Sequence, residues 1–273
     1  IACIFSGART LVFFGYGTAP FFPFLKLLGI NVICNVDGIE WKRAKWGPTA
    51  KKYFKFCEWL VAKINITRIY DAYAIQDYYF KKYSAPGETI FYGSDTKQVI
   101  SRFDSDGIQD YVDSDYSVVV MRLEPENSIL KIVEAFSSLP SRRLKIIGPT
   151  TKYFDLNCIP IITNSKNIDY LGPIYDRQKL LLIRLNATSY IHGHTVGGTN
   201  PTLVEACHIG KPVIAHDNPY NREVLGKNNN QFFSDSSQLI DILNDVDVSL
   251  EPPRKLSSDY DWYKIRELYY NLF

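Results

Sequence analysis

Short apolar runs alternate along the chain with longer stretches whose apolar positions recur at helical spacing. That alternation predicts a parallel sheet flanked by helices, an α/β fold. Strands are predicted at Thr10–Phe14, Asn31–Val36, Arg68–Tyr70 and Thr89–Tyr92, with helices at Pro23–Leu28, Pro48–Ile64 and Ile75–Tyr83. In the Pro48 segment Tyr53, Phe56, Leu60 and Ile64 fall at helical spacing, and Pro48 suits a first turn. A second series predicts strands at Tyr116–Met121, Leu144–Ile147, Ile168–Leu171, Ser189–Ile191 and Pro212–Ala215. Its helices are predicted at Glu126–Ser137, Arg177–Leu185, Pro201–Ile209 and Gln238–Leu243, and an aromatic, amphipathic tail runs from Ser257 to Leu272.

Between the two series lies an Asp-rich stretch with few large aliphatics, including Asp104, Asp106, Asp113 and Asp115. The expected organisation is therefore a first lobe over 1–97, a linker over 98–115, a second lobe over 116–256 and a terminal helix over 257–273 that returns to the first lobe. The second series is a complete Rossmann-like unit. The first is short for one and lacks an early glycine-rich βα turn. It opens inside an apolar run, so a longer parent chain or a reduced lobe is expected.

Net charge is only +2 over 273 residues, which argues against a nucleic-acid binder. The charge is uneven: residues 1–97 carry 13 Lys/Arg against 7 Asp/Glu, and Lys42, Arg43, Lys45, Lys51, Lys52 and Lys55 are close in sequence. Such a patch attracts phosphates, anionic lipid head groups or an acidic substrate; a solvated helix face is the plainer reading, and both stay open. The uncharged run Thr10–Leu25 is broken by Gly15, Gly17, Pro20 and Pro23 and is short for a membrane span, which leaves a peripheral membrane contact open. Five cysteines without C-x-x-C spacing read as buried thiols in a reducing compartment, hence a cytoplasmic location without a secretory leader. His192 and His194 have no carboxylate spaced for metal binding, so no metal is expected.

The chemistry is densest in HGHTVGGTNPTLVEACHIGKPVIA, His192 to Ala215. Gly193, Gly197 and Gly198 make a tight loop after a strand, Asn200 or Thr199 can cap the next helix, and Pro201 fits its first position. A helix start of this kind is an anion site, and Glu205 one turn on can accept from both hydroxyls of a ribose. In VVVMRLEPENS a strand delivers Arg122, suited to a phosphate, with a surface ion pair to Glu124 or Glu126 as the alternative. In NVDGIEWKRAKWG, Asp37 and Gly38 turn at the C-terminal end of a strand, where open α/β sheets place ligands. A turn or cap role for Asp37 is equally open.

The His192–Ala215 stretch resembles the donor motif of family-4 glycosyltransferases, in which two glutamates eight residues apart frame a nucleotide sugar. The resemblance assigns the ribose to Glu205, and it departs from the family at Gly197, where the first glutamate would stand. It assigns the donor diphosphate to Arg122, whose usual lysine partner is replaced by Asn127; His194, Arg222 or the basic patch are candidates to compensate. Gly197, Gly198, Thr199 and Asn200 complete the implied donor set, with Asn218, Asn221 and Glu223 as secondary contacts. NVDGIEWKRAKWG, IYDAYAIQDYYFKKY and GPIYDRQKL resemble the bacterial rhamnosyltransferase group of the same superfamily, which serves polysaccharide assembly. The resemblance implies a GT-B fold of two facing Rossmann-like lobes, working without a metal or other cofactor. The implied reaction transfers L-rhamnose, with retention, from a nucleotide diphosphate to a glycan or lipid-linked glycan. Asp37 becomes the carboxylate near the acceptor or the anomeric centre, with Glu40, Trp41 and Arg43 on the acceptor side. A nucleotide-sugar epimerase and a non-catalytic nucleotide-sugar-binding domain remain the alternatives.

Overall fold

The computed structural model describes residues 7–95, 115–226, 231–245 and 252–273; apart from Asp115, the linker expected at 98–115 lies outside the described residues. The chain divides into two compact units, the first containing residues up to Gly93 with Val196–Thr199 and Ser258–Phe273, the second the remainder.

The first unit is a four-stranded parallel sheet in the order β1 (Thr10–Phe14), β2 (Asn31–Asn35), β3 (Thr67–Tyr70) and β4 (Glu88–Thr89). Its helices are α1 (Phe22–Leu27), α2 (Pro48–Lys63) and α3 (Tyr73–Tyr83), with 3-10 turns at Ala19–Phe21 and Glu40–Lys42. The final helix of the chain, α11 (Trp262–Tyr270), belongs to this unit, and its Ile265 packs with Ile33, Ile69 and Ile90 of the sheet core. The strand predicted at Thr89–Tyr92 shrinks to the two residues of β4; Ile90 and Phe91 are buried, but outside the strand ladder.

The second unit is a six-stranded parallel sheet in the order β10-β9-β8-β5-β6-β7. The strands are β5 (Ser117–Val120), β6 (Leu144–Ile147), β7 (Ile168–Gly172), β8 (Ser189–His192), β9 (Val213–His216) and β10 (Phe232–Phe233). Counted from β5, this is the 3-2-1-4-5-6 order of a doubly wound dinucleotide-type fold. Around it lie α4 (Ile129–Ser137), α5 (Lys152–Asn157), α6 (Ile159–Thr163), α7 (Arg177–Asn186), α8 (Pro201–Ile209), α9 (Pro219–Leu225) and α10 (Ser236–Asn244). Val119, Ile146, Ile191 and Ile214 from four adjacent strands meet Ile129, Val133 and Phe136 of α4 in one core.

Where the pattern predicts a helix from Glu126, the chain makes a 3-10 turn over Pro125–Asn127 and begins α4 only at Ile129. Ser128, with φ of 54°, takes a left-handed conformation that no continuous helix admits. Two short helices, α5 and α6, fill a stretch for which the pattern predicts no element; Thr151 caps α5, its hydroxyl accepting from Phe154 N, and Pro160 stands in the first turn of α6.

Candidate functional site

In the second unit the strand order reverses between β5 and β8, and a ligand crevice is expected off the C-terminal ends of strands at such a switch point. Two loops leave there: Met121–Ser128 after β5 and Gly193–Asn200 after β8. They are in intimate contact. A Cβ on Gly193 would fall 2.1 Å from the Asn127 carbonyl oxygen, and Thr195 donates to the Glu126 carbonyl from its amide (3.0 Å) and its hydroxyl (2.7 Å). Gly193 therefore serves the close approach of the two loops.

Arg122 leaves the end of β5 exposed to solvent. Asn127, in the family's lysine position, is buried and donates its side-chain amide to the Arg122 carbonyl at 2.6 Å. That bond braces the loop. Arg222 is held by a two-pronged contact with Asp217, 2.5 Å from Nε and 2.8 Å from Nη2, and this pair pulls the Asp217 carboxyl below its usual range. The His194 carbonyl takes amide protons from Asn218 (2.8 Å) and Asn221 (3.2 Å), which pins the loop after β8 to the start of α9. The secondary contacts suggested at Asn218 and Asn221 are therefore at least partly structural.

α8 begins as the sequence allows, with Pro201 in its first turn and Asn200 as the cap. Asn200 Oδ1 accepts from Thr202 N (3.0 Å) and Oγ1 (2.7 Å), while the Asn200 carbonyl takes the amides of Leu203 and Val204. The helix start is thus internally satisfied, a correction to the expectation of free helical amides there. The N–H groups of Gly198, Thr199 and Asn200 make no hydrogen bond among the described residues, so the donors available to an anion lie in the loop.

Glu205 sits one turn into α8 with its side chain 35% exposed. Its Oε2 accepts from Nη1 of Arg184 at 2.6 Å, and Nη2 of Arg184 donates to the Thr202 carbonyl at 2.9 Å. Arg184, only 6% exposed, lies over the Tyr190 ring. Arg184 is the residue that sequence reasoning missed. Its signal was a lone cation in the apolar run LLLIRL. His192, at the end of β8, is fully buried and stacks its ring on His194 at 4.5 Å. Burial, helped by His194 and Arg184, pushes its ring well below the usual histidine range and keeps it neutral.

Within the first unit, Asp37 closes β2 in the left-handed region, with φ of 47°. Asn35 Oδ1 takes the Asp37 amide at 3.0 Å, Asn35 Nδ2 donates to Tyr269 Oη, and Tyr92 Oη points at Asp37 Oδ1 from 3.4 Å. A cleft of about 400 Å³ opens at the ends of β1 and β2, lined among others by Phe14, Tyr16, Asp37, Glu40 and Phe54. Trp41 and Arg43 do not line it. Trp41 donates its indole N–H to the buried Glu58 at 2.7 Å, and Arg43 is spent on Glu40 at 2.6 Å.

The glycines at 38 and 198 have a packing reason inside this unit. A Cβ on Gly198 would lie 2.0–2.2 Å from the Asp71 carboxylate, and one on Gly38 would lie 2.8 Å from Gly197 Cα. The Thr199 hydroxyl donates to the Asp71 carbonyl.

The model of the family described as glycosyl transferases group 1 matches residues 102–261, and a domain of unknown function, DUF1972, matches residues 14–95. No curated protein matches the chain in sequence. Among solved structures, the chain is similar to sucrose-phosphate synthase of Thermosynechococcus elongatus, with a TM-score of 0.78 at 13% identity over 100% of this chain and 75% of that one. Anabaena Alr3699/HepE, solved in complex with UDP, gives a TM-score of 0.65 at 14% identity, covering 85% and 68%. An α,α-trehalose 6-phosphate synthase of Burkholderia multivorans gives 0.66 at 13% identity, covering 86% and 63%, so the chain spans about two thirds of the latter two proteins.

Proposed function

The chain belongs to the glycosyl transferases group 1 family and has the GT-B type of α/β architecture; we propose that it moves L-rhamnose from a nucleotide diphosphate to a hydroxyl of a glycan or lipid-linked glycan, with retention at the anomeric carbon. The observation that carries the donor half is Glu205. It is fixed by Arg184 through one oxygen, while its other oxygen has no partner among the described residues and is left to accept from a ribose diol. The diphosphate is assigned to Arg122 and to the unused amides of Gly198, Thr199 and Asn200. UDP in the HepE complex is a nucleotide of the class proposed here. The acceptor is assigned to the cleft beside Asp37, with Glu40 as a second hydroxyl acceptor on its wall. The rhamnosyl identity and the retention rest on the resemblance of NVDGIEWKRAKWG and GPIYDRQKL alone.

In the transfer the bond from the anomeric carbon to the diphosphate oxygen breaks and a bond to the acceptor oxygen forms on the same face. The departing diphosphate takes the acceptor's proton. Arg122 and the loop amides oppose the charge that grows on the leaving group, while binding fixes the reactants. Incubation with dTDP-, UDP- and GDP-rhamnose, with mass spectrometry of the nucleotide released, tests the reading. Consumption of one donor is expected, accelerated by a polyprenyl-linked or oligosaccharide acceptor. Binding of a nucleotide diphosphate without turnover in any acceptor screen favours the non-catalytic alternative, and interconversion of the donor sugar favours the epimerase.

A further inference from the structure

The first unit presents a flank that the sugar chemistry does not use. On α2, Lys52, Lys55, Phe56 and Trp59 lie on the exposed side, at spacings of three and four residues. Phe56 and Trp59 are about half exposed and stack on each other at 6.0 Å between ring centroids. The 3-10 turn Ala19–Phe21 packs against α2 and runs directly into α1; Phe21 of the turn is 66% exposed and Phe24 of α1 55%. Large rings left in water at this density mark an interaction surface.

The exposed charges of α1 and α2 are all lysines. Residues 10–70 contain nine Lys/Arg and three carboxylates, and none of the three offsets the lysines of α2. Glu58, the one acid of α2, is fully buried under four donors: Trp41 Nε1, Tyr78 Oη, Lys82 Nζ and Tyr83 Oη, at 2.6–2.9 Å. Glu40 is held by Arg43 and Trp46, and Asp37 closes β2. Water and solutes therefore meet ammonium groups and aromatic rings there.

We propose that this flank of α1 and α2 docks on an anionic lipid bilayer, with Phe21, Phe24, Phe56 and Trp59 in the interfacial layer and Lys52 and Lys55 on lipid phosphates. Trp and Phe on one helix face with lysines beside them suit the headgroup boundary, because each lysine stem can lie along the apolar layer while its ammonium reaches the phosphates. A nucleic acid would satisfy the lysines, yet it would leave the Phe21–Phe24 row in water. No helix among the described residues is long and apolar enough to cross a membrane, so the contact is with a surface. The proposal stands apart from the sugar-transfer reading, since its test uses neither donor nor acceptor.

Flotation of the 273-residue chain with phosphatidylcholine vesicles, and with vesicles in which part of that lipid is replaced by phosphatidylglycerol, is the experiment. The chain is expected to float only with the anionic vesicles and to lose at least about thirtyfold in partitioning with Lys52→Glu/Lys55→Glu. Phe56→Ser/Trp59→Ser is expected to lose binding at low salt as well, with an unchanged circular dichroism spectrum in both variants. Brominated acyl chains should quench tryptophan emission in the parent and less so in Trp59→Phe, which tests insertion independently of the charge swap. A parent chain that stays unbound with anionic vesicles, or a Lys52→Glu/Lys55→Glu variant that floats as well as the parent, overturns the proposal. So does retention on DNA without flotation.

Discussion

Replacing Glu205 with Ala deprives Arg184 of one of the two hydrogen-bond acceptors that its guanidinium has in a site only 6% exposed, leaving the Thr202 carbonyl. The loss can be bounded. An exposed ion pair contributes at most about 1 kcal/mol, whereas removing one partner of a fully buried pair costs about 3–5 kcal/mol. Glu205 keeps roughly a third of its side chain in water, so solvent can enter the gap and take up part of the loss. A destabilisation of about 2 kcal/mol is expected, which at this chain size corresponds to a fall of about 4–8 °C in Tm. Differential scanning calorimetry of Glu205→Ala, Arg184→Met and the double variant measures it. The double variant should be less destabilised than the sum of the singles by about 1–2 kcal/mol. A Glu205→Ala melt within about 1 °C of the parent would refute the reasoning, because it would mean that the buried cation does not depend on this carboxylate. The same variant should weaken binding of a nucleotide diphosphate by about 1–3 kcal/mol if Glu205 also holds the ribose. That titration has to be run well below the lowered melt, since otherwise unfolding would pass for lost affinity.

Burial keeps His192 neutral in the folded chain, while the unfolded chain protonates it near pH 6.5, so stability should fall as pH drops below about 6.5, by up to about 1.4 kcal/mol per pH unit for this residue. Urea titrations at several pH values should show a shallower loss in His192→Phe, and equal slopes would refute the assignment. Gly193→Ala drives a Cβ onto the Asn127 carbonyl and should cost about 1–3 kcal/mol by denaturant titration. Its solubility and unfolding midpoint matching the parent would show that the two loops are not in contact. Cys34, Cys158 and Cys207 are buried, and burial pushes each thiol up to about 12, so a thiol reagent should modify them only after denaturant is added. Asp37→Asn, which keeps the side-chain shape at the end of β2, should leave nucleotide binding unchanged and slow transfer to an acceptor; equal loss of both would refute the acceptor role of Asp37.

The parts of this chain that could be read in advance are those whose cause is local. The β8–loop–α8 segment declares itself through Asn200 and Pro201, which act on the next three residues. Asn218 and Pro219 open α9 by the same device, so that helix is legible from its cap although apolar spacing does not reveal it. The boundary at Ile129 could not be read in this way, because a left-handed serine has no distinctive composition. What the site does with its residues was less legible still, because the partners arrive from far along the chain. Trp41 counts as an acceptor-side residue by resemblance until Glu58, 17 residues later, is found to hold its indole N–H. Gly198 looks like room for a ligand until Asp71, distant in sequence, is found beside its Cα.

Arg184 shows where this matters most for function. A carboxylate chosen by motif alone would be credited entirely to the donor, but half of Glu205 is already committed to a buried cation. That commitment fixes the rotamer of a part-exposed glutamate on α8, so a ribose would meet an oriented acceptor at a smaller entropic cost. The pair also limits what substitution can reveal. Glu205→Gln, which keeps an oxygen toward Arg184 and an amide toward the ribose, should retain more stability than Ala while losing the charge-assisted part of both bonds. If Gln and Ala are equally destabilised yet bind nucleotide equally well, Glu205 serves the fold alone and the donor half of the reading must be sought around Arg122.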